Sequence, residues 1–107
     1  MTGFRHIDPE MARQLLEKGA ALIDIRDRQS FACSHIPGAR HLDNLSLGDF
    51  IARANHQTPL IVSCYHGHSS QSAAAYLASQ GFAEVYSLDG GFDGWLSRYP
   101  DQVSSRL

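Results

Sequence analysis

Leu60-Ile61-Val62-Ser63 presents apolar residues to both faces of any strand it forms. Ala20-Ala21-Leu22-Ile23-Asp24-Ile25 is a second run of the same kind. Strands this short and this apolar are suited to the centre of a parallel sheet, with both faces covered. The segments around them alternate in character. Asp8-Pro9 opens a helix, Asp8 as N-cap and Pro9 at the first helical position, with Met11, Ala12, Leu15 and Leu16 as its apolar face and Gly19 as terminator. Asp27 caps a short helix over residues 28–33, and Ser46 with Asp49 marks a further helix start leading into Phe50-Ile51. A helix runs from about Ser69 to Gly81, and a last one covers residues 92–98. Residues 4–7, 40–42 and 84–88 supply shorter strands. Strands alternating with helices predict an α/β fold, a mostly parallel central sheet with helices on both faces.

The chain has 107 residues, which suits one domain, 1–107, with a single core. Its net charge is −2 and Lys18 is its only lysine, so nothing in it favours a nucleic-acid partner. No apolar stretch reaches membrane-spanning length, and Met1-Thr2-Gly3-Phe4-Arg5-His6 lacks the apolar core of an export signal. Two cysteines are too few for a disulfide framework. A reducing cytoplasm, where thiols stay free, is the expected setting.

Cys64 stands where chemistry is expected. It follows Ser63 at the end of the most apolar strand, where parallel sheets gather their ligands. A tight polar loop, Tyr65-His66-Gly67-His68, and the helix from Ser69 come next. Gly67 permits a curl that a β-carbon opposes, so successive N–H groups and the helix N-terminus converge on the sulfur. Those donors favour the thiolate, the reactive form of the side chain. Ser69 and Ser70 are placed to cap the helix and to offer hydroxyls to an anion, and His66 and His68, when protonated, add positive charge. The candidate site is therefore Cys64 as nucleophile with Tyr65, His66, Gly67, His68, Ser69 and Ser70 as substrate-binding residues.

Four segments together resemble the rhodanese family of sulfurtransferases. Leu22-Ile23-Asp24-Ile25-Arg26 is similar to its early strand, and Phe31-Ala32-Cys33-Ser34-His35-Ile36-Pro37-Gly38-Ala39 to its Gly-His-Ile-Pro-Gly-Ala signature. Cys64-Tyr65-His66-Gly67-His68-Ser69-Ser70 resembles its active-site loop, and Gly90-Gly91-Phe92-Asp93-Gly94-Trp95 its closing Gly-Gly-x-x-x-Trp. The loop is most similar to that of the small single-domain bacterial enzymes. The resemblance implies a single rhodanese-like domain and a thiosulfate:cyanide sulfurtransferase, with thiosulfate as donor and a persulfide carried on Cys64. It implies no cofactor. The acceptor is cyanide in an assay, and thioredoxin or another dithiol is a candidate in the cell; a homodimer is among the assemblies it allows. Ser34 stands where the family usually has Gly. No arginine occurs between positions 65 and 70, where many relatives carry one, and His66 and His68 are candidates to take its place.

Plainer readings stand beside these. Cys64 is otherwise a small buried hydrophobe. Cys33 is structural or incidental, with a resolving thiol as its alternative. Cys64, His66 and His68 offer three metal ligands where zinc usually wants four, so no metal is expected. His35 and His41 are expected to be structural. Arg26 either pairs with a carboxylate or meets the substrate anion, and Asp24 supports the loop. Trp95, Phe92 and Tyr86 are expected in the core, with Tyr76 and Leu77 on the packed face of their helix. A cysteine phosphatase needs an arginine closing its loop, and positions 70 and 71 hold Ser70 and Gln71 instead. A non-enzymatic binding or regulatory module, or a persulfide carrier for a partner protein, is the remaining alternative.

Overall fold

The computed structural model describes residues 3–105. Five strands and five helices alternate: β1 (Arg5–Ile7), α1 (Pro9–Glu17), β2 (Ala21–Asp24), α2 (Arg28–Cys33), β3 (Arg40–His41), α3 (Leu47–Arg53), β4 (Leu60–Ser63), α4 (Ser69–Ser79), β5 (Val85–Leu88) and α5 (Gly91–Arg98). The strands form one sheet in the order β1-β5-β4-β2-β3, and every neighbouring pair is parallel.

The two apolar runs occupy the middle of the sheet as adjacent strands, Leu22 opposite Ile61 and Asp24 opposite Ser63. Successive side chains of a strand point to opposite faces, and each run serves two cores. Leu22, Ile61 and Leu88 pack with Ala12, Phe31, Phe92 and Trp95, so α1, α2 and α5 cover one face. Ile23, Leu60, Val62 and Val85 pack with Phe50, Ala74, Leu77 and Ala78, so α3 and α4 cover the other.

Helix starts follow the expected chemistry at two of four places, α1 and α2. Asp8 accepts from the Met11 N–H at 2.8 Å, and Asp27 from the Ser30 N–H at 3.0 Å. Ser46 takes the N-cap place of α3 without a capping side-chain bond. Asp43, three residues earlier, accepts from the Leu45 and Ser46 N–H groups and from the Ser46 hydroxyl, so the carboxylate organises this turn. Three packing expectations also need correction. Met11 points away from the core and is more than half exposed. Tyr76 is exposed while Leu77 beside it is buried, because a helix step of 100° turns neighbours apart. Tyr86 is half-buried, with its hydroxyl donating to the Glu84 carboxylate. That bond holds the phenol above its ordinary pKa.

The chain leaves β2 toward β3 at one edge and leaves β4 toward β5 on the other side. The carboxyl ends of β2 and β4 are thus a switch point, the usual place for a ligand crevice. Asp24 ends one of these strands, with Ile25 and Arg26 following, and Cys64 directly follows the other.

Candidate active site

Cys64 is a buried free thiol at the carboxyl end of β4. Its Sγ accepts two backbone hydrogen bonds, from Gly67 N–H and from Ser70 N–H, each at 3.2 Å. The second donor belongs to the first turn of α4, an eleven-residue helix whose N-terminus carries partial positive charge. The loop therefore wraps the sulfur with groups that stabilise negative charge on it.

The curl depends on two glycines. Gly67 has φ +92°, and a β-carbon there would lie 2.8 Å from the Gly90 nitrogen. Gly91 has φ +58°, and its β-carbon would lie 2.5 Å from the Cys64 carbonyl oxygen. The loop and the start of α5 are thus in backbone contact, and two hydrogen bonds join them. Phe92 N–H donates to the Cys64 carbonyl at 2.7 Å, and Asp93 N–H donates to the Tyr65 carbonyl at 3.1 Å. Gln71 reaches back from α4 to donate to the Gly67 carbonyl at 2.8 Å.

The remaining loop side chains divide into engaged and open ones. The Tyr65 hydroxyl is tied to α2: it donates to the Asp27 carboxylate and lies 3.0 Å from the Ser30 hydroxyl. His66 Nδ1 lies 2.9 Å from the Asp93 carboxylate, with both groups more than half exposed. An imidazolium at position 66 is therefore already paired and adds little net charge to the loop. His68 is exposed at the N-cap place of α4 and forms no capping bond. Ser69 is exposed in the first turn. Ser70 is fully buried, and its hydroxyl turns inward to Ser87 at 2.8 Å. The expected hydroxyl cap of α4 does not form; Ser70 serves the sulfur through its backbone instead.

Arg26 supports the site from beneath. Its guanidinium donates to both oxygens of the buried Asp24 carboxylate, at 2.8 to 3.1 Å, and to the Ser34 carbonyl at 2.6 Å. The Phe92 ring lies 4.2 Å from the guanidinium carbon and the Tyr65 ring 5.7 Å. Ser34 itself has φ −165°, extended backbone that tolerates any residue, so nothing at this position requires glycine. His35 Nδ1 pairs with the Phe31 carbonyl at 2.7 Å, and His41 Nε2 with the Arg26 carbonyl at 2.6 Å; both histidines are structural. Cys33 is exposed at the end of α2. Among the described residues, no group of three or more His, Cys, Asp or Glu is arranged to hold a metal ion.

A cleft of about 580 Å³ lies beside the site, with Ile25, Leu47, Ala73 and Tyr76 among its walls. Cys64 is not on its wall; Asp27, which holds Tyr65, is. The hydrogen bond from Ser30 N–H, with help from the Ser30 hydroxyl, keeps the Asp27 carboxyl below its ordinary pKa.

A family model described as the rhodanese-like domain matches residues 8–98. This chain belongs to the rhodanese-like domain family. Two relatives named thiosulfate sulfurtransferase GlpE are similar over nearly their whole length. The protein of Pseudomonas aeruginosa strain LESB58 is 63% identical over 102 residues, 95% of this chain and 93% of that one. The protein of Ectopseudomonas mendocina is 61% identical over 104 residues, 97% and 95% of the two chains. Among solved structures, the Alr3790 protein from Anabaena sp. superposes with a TM-score of 0.80 at 25% identity, covering 94% of this chain and 93% of that one. Bacillus anthracis CoADR-RHD gives 0.81 at 21% identity, covering 94% of this chain and 18% of that far longer one. The rhodanese fold is thus shared at low identity.

Three contributors to this rhodanese site escaped the reading of the sequence: Asp27 as the anchor of Tyr65, Gln71 as a brace of the loop, and Ser87 behind Ser70. Gln71 carries the signal of i, i+4 spacing from Gly67. Ser87 carries another, a hydroxyl in a strand whose other buried residues are Val85 and Leu88. Asp27 has no such signal, because it lies 38 positions before Tyr65 and the sheet is what brings the two together.

Proposed function

We propose that this chain is a thiosulfate sulfurtransferase that moves the sulfane sulfur of thiosulfate to cyanide or a thiol through a persulfide on Cys64. The observation that carries this reading is the Cys64 sulfur at the carboxyl end of β4, with two backbone N–H groups at 3.2 Å. The printed name of relatives at 56 to 63% identity, thiosulfate sulfurtransferase, supports the same activity.

In the first step the Cys64 thiolate attacks the outer sulfur of thiosulfate. A sulfur–sulfur bond forms to Sγ, the bond to the sulfonate sulfur breaks, and sulfite leaves with the electron pair. In the second step cyanide attacks the terminal persulfide sulfur, thiocyanate leaves, and the thiolate is restored. This is covalent catalysis by an activated nucleophile. The negative charge stays in the loop throughout, so the Gly67 and Ser70 N–H groups serve both the thiolate and the persulfide. Tyr65, His66, His68 and Ser69 form the exposed part of the loop that a donor meets first. In the cell the acceptor is a dithiol such as thioredoxin, and the compartment is the reducing cytoplasm, in which both Cys33 and Cys64 remain thiols.

The test is the intact mass of the protein before and after thiosulfate, then after cyanide. The expected result is the gain of one sulfur atom on Cys64, its removal by cyanide, and one thiocyanate formed. A free Cys64 thiol that gains no sulfur would overturn the reading and favour a binding or regulatory module.

A further inference from the structure

Ser70 in α4 and Ser87 in β5 are fully buried and hydrogen-bonded Oγ to Oγ at 2.8 Å. Their surroundings are apolar. Val62 lies opposite Ser87 in the sheet, and the buried Ala74 follows Ser70 by one helical turn. A hydroxyl pair in such a place adds little stability, because two apolar groups of the same shape serve nearly as well. Its position relates it instead to the sulfur. The residue that Ser87 holds is one of the two whose N–H donates to Cys64 Sγ.

A serine near a helix start that lacks a side-chain partner turns its hydroxyl to a backbone carbonyl three or four residues earlier and bends the turn. For Ser70 those carbonyls belong to the sulfur-wrapping loop, and the Gly67 carbonyl already accepts from Gln71. Ser87 removes that competition. It draws the Ser70 hydroxyl into the core and leaves the first turn of α4 straight, with its N–H on the sulfur.

We propose that Ser87 is a positioning residue for the nucleophile: its hydroxyl, acting through Ser70, holds a backbone donor on Cys64 Sγ. The inference rests on Cys64 being the reactive thiol of the proposed function. Alkylation by iodoacetamide tests it without any sulfur donor, so failure of the sulfurtransferase reading and failure of this one are told apart. Cys64 modification is followed by peptide mass, which separates it from the exposed Cys33, and is normalised to the rate in denaturant.

Ser87→Ala is expected to slow native alkylation at pH 7 by about tenfold to a hundredfold, the size of one lost hydrogen bond to a charged group. The kcat/KM for thiosulfate falls by a similar factor. Ser87→Thr, which keeps the hydroxyl, is expected to retain both rates. If Ser87→Ala fails to fold, Ser87→Cys, whose thiol is only a weak hydrogen-bond partner, is measured in its place, and both rates are expected to fall in the same direction. A folded Ser87→Ala or Ser87→Cys variant with native alkylation and native kcat/KM would overturn the proposal.

Discussion

Gly91 limits the site as tightly as Cys64 does. It sits where the loop carbonyls and the start of α5 meet, at φ +58°, with the Cys64 oxygen 2.5 Å from where a β-carbon would be. Gly91→Ala is therefore expected to cost about 1–3 kcal/mol in backbone strain alone, before the clash with the loop is counted. Thermal unfolding measures the first effect, and loss of thiosulfate turnover measures displacement of the loop. Cys64→Ser behaves in the opposite way. The hydroxyl fits the same buried place, so unfolding changes little while turnover disappears. A Cys64→Ser protein that still forms thiocyanate would require another nucleophile.

Two helix starts with the same cap chemistry differ in what they reach. Asp8 caps α1, far along the chain from the Cys64 loop, and its side chain accepts from the Met11 N–H. Asp8→Ala is expected to lower stability by about 1 kcal/mol and to leave turnover unchanged. Asp27 caps α2 and also receives the Tyr65 hydroxyl from the active-site loop. Asp27→Ala should therefore lower stability and raise the Michaelis constant for thiosulfate, because the residue after the nucleophile loses its anchor. Melting curves and steady-state kinetics on the two variants separate a cap from a cap that holds the site. An Asp27→Ala enzyme with native kinetics would reduce the Tyr65 contact to packing.

The molecule as a whole is held by a parallel sheet with a buried ion pair at the carboxyl end of β2. Asp24 and Arg26 lie side by side with almost no solvent contact. Arg26→Met leaves a buried carboxylate without its counter-charge, and a loss of about 3–5 kcal/mol is expected in denaturant unfolding. At the surface, the hydrogen bond from Arg28, followed by those of the Asp43 turn, lowers the Asp43 carboxyl from its ordinary 3.8 to about 2. A carboxyl with a depressed folded-state pKa contributes stability above its unfolded value and loses that contribution as pH falls through the folded one. The contribution of Asp43 is thus complete above about pH 4 and lost as pH falls toward 2. Asp43→Asn is expected to melt earlier than the native protein at pH 7, with the difference closing toward pH 2. A gap of constant size across that range would remove the carboxylate's charge from the explanation.

Most of the architecture was legible in the residues, for a local reason. Apolar runs, Asp caps and Gly turns act over one to five positions, so the order of strands and helices, the parallel sheet and the place of Cys64 could all be read along the chain. The motif from Cys64 to Ser70 likewise carried its own curl at Gly67. The sequence read by itself misjudged what is settled by contact between distant segments. Ser46 yielded its cap to Asp43, Met11 and Tyr76 turned outward, and the Ser70 hydroxyl met Ser87 rather than the helix start. Tyr65 found Asp27, and His66 found Asp93, only because β2, β4 and β5 lie side by side. Local geometry is written in neighbouring residues; which donor meets which acceptor across the sheet is set when strands far apart in the chain pack against one another.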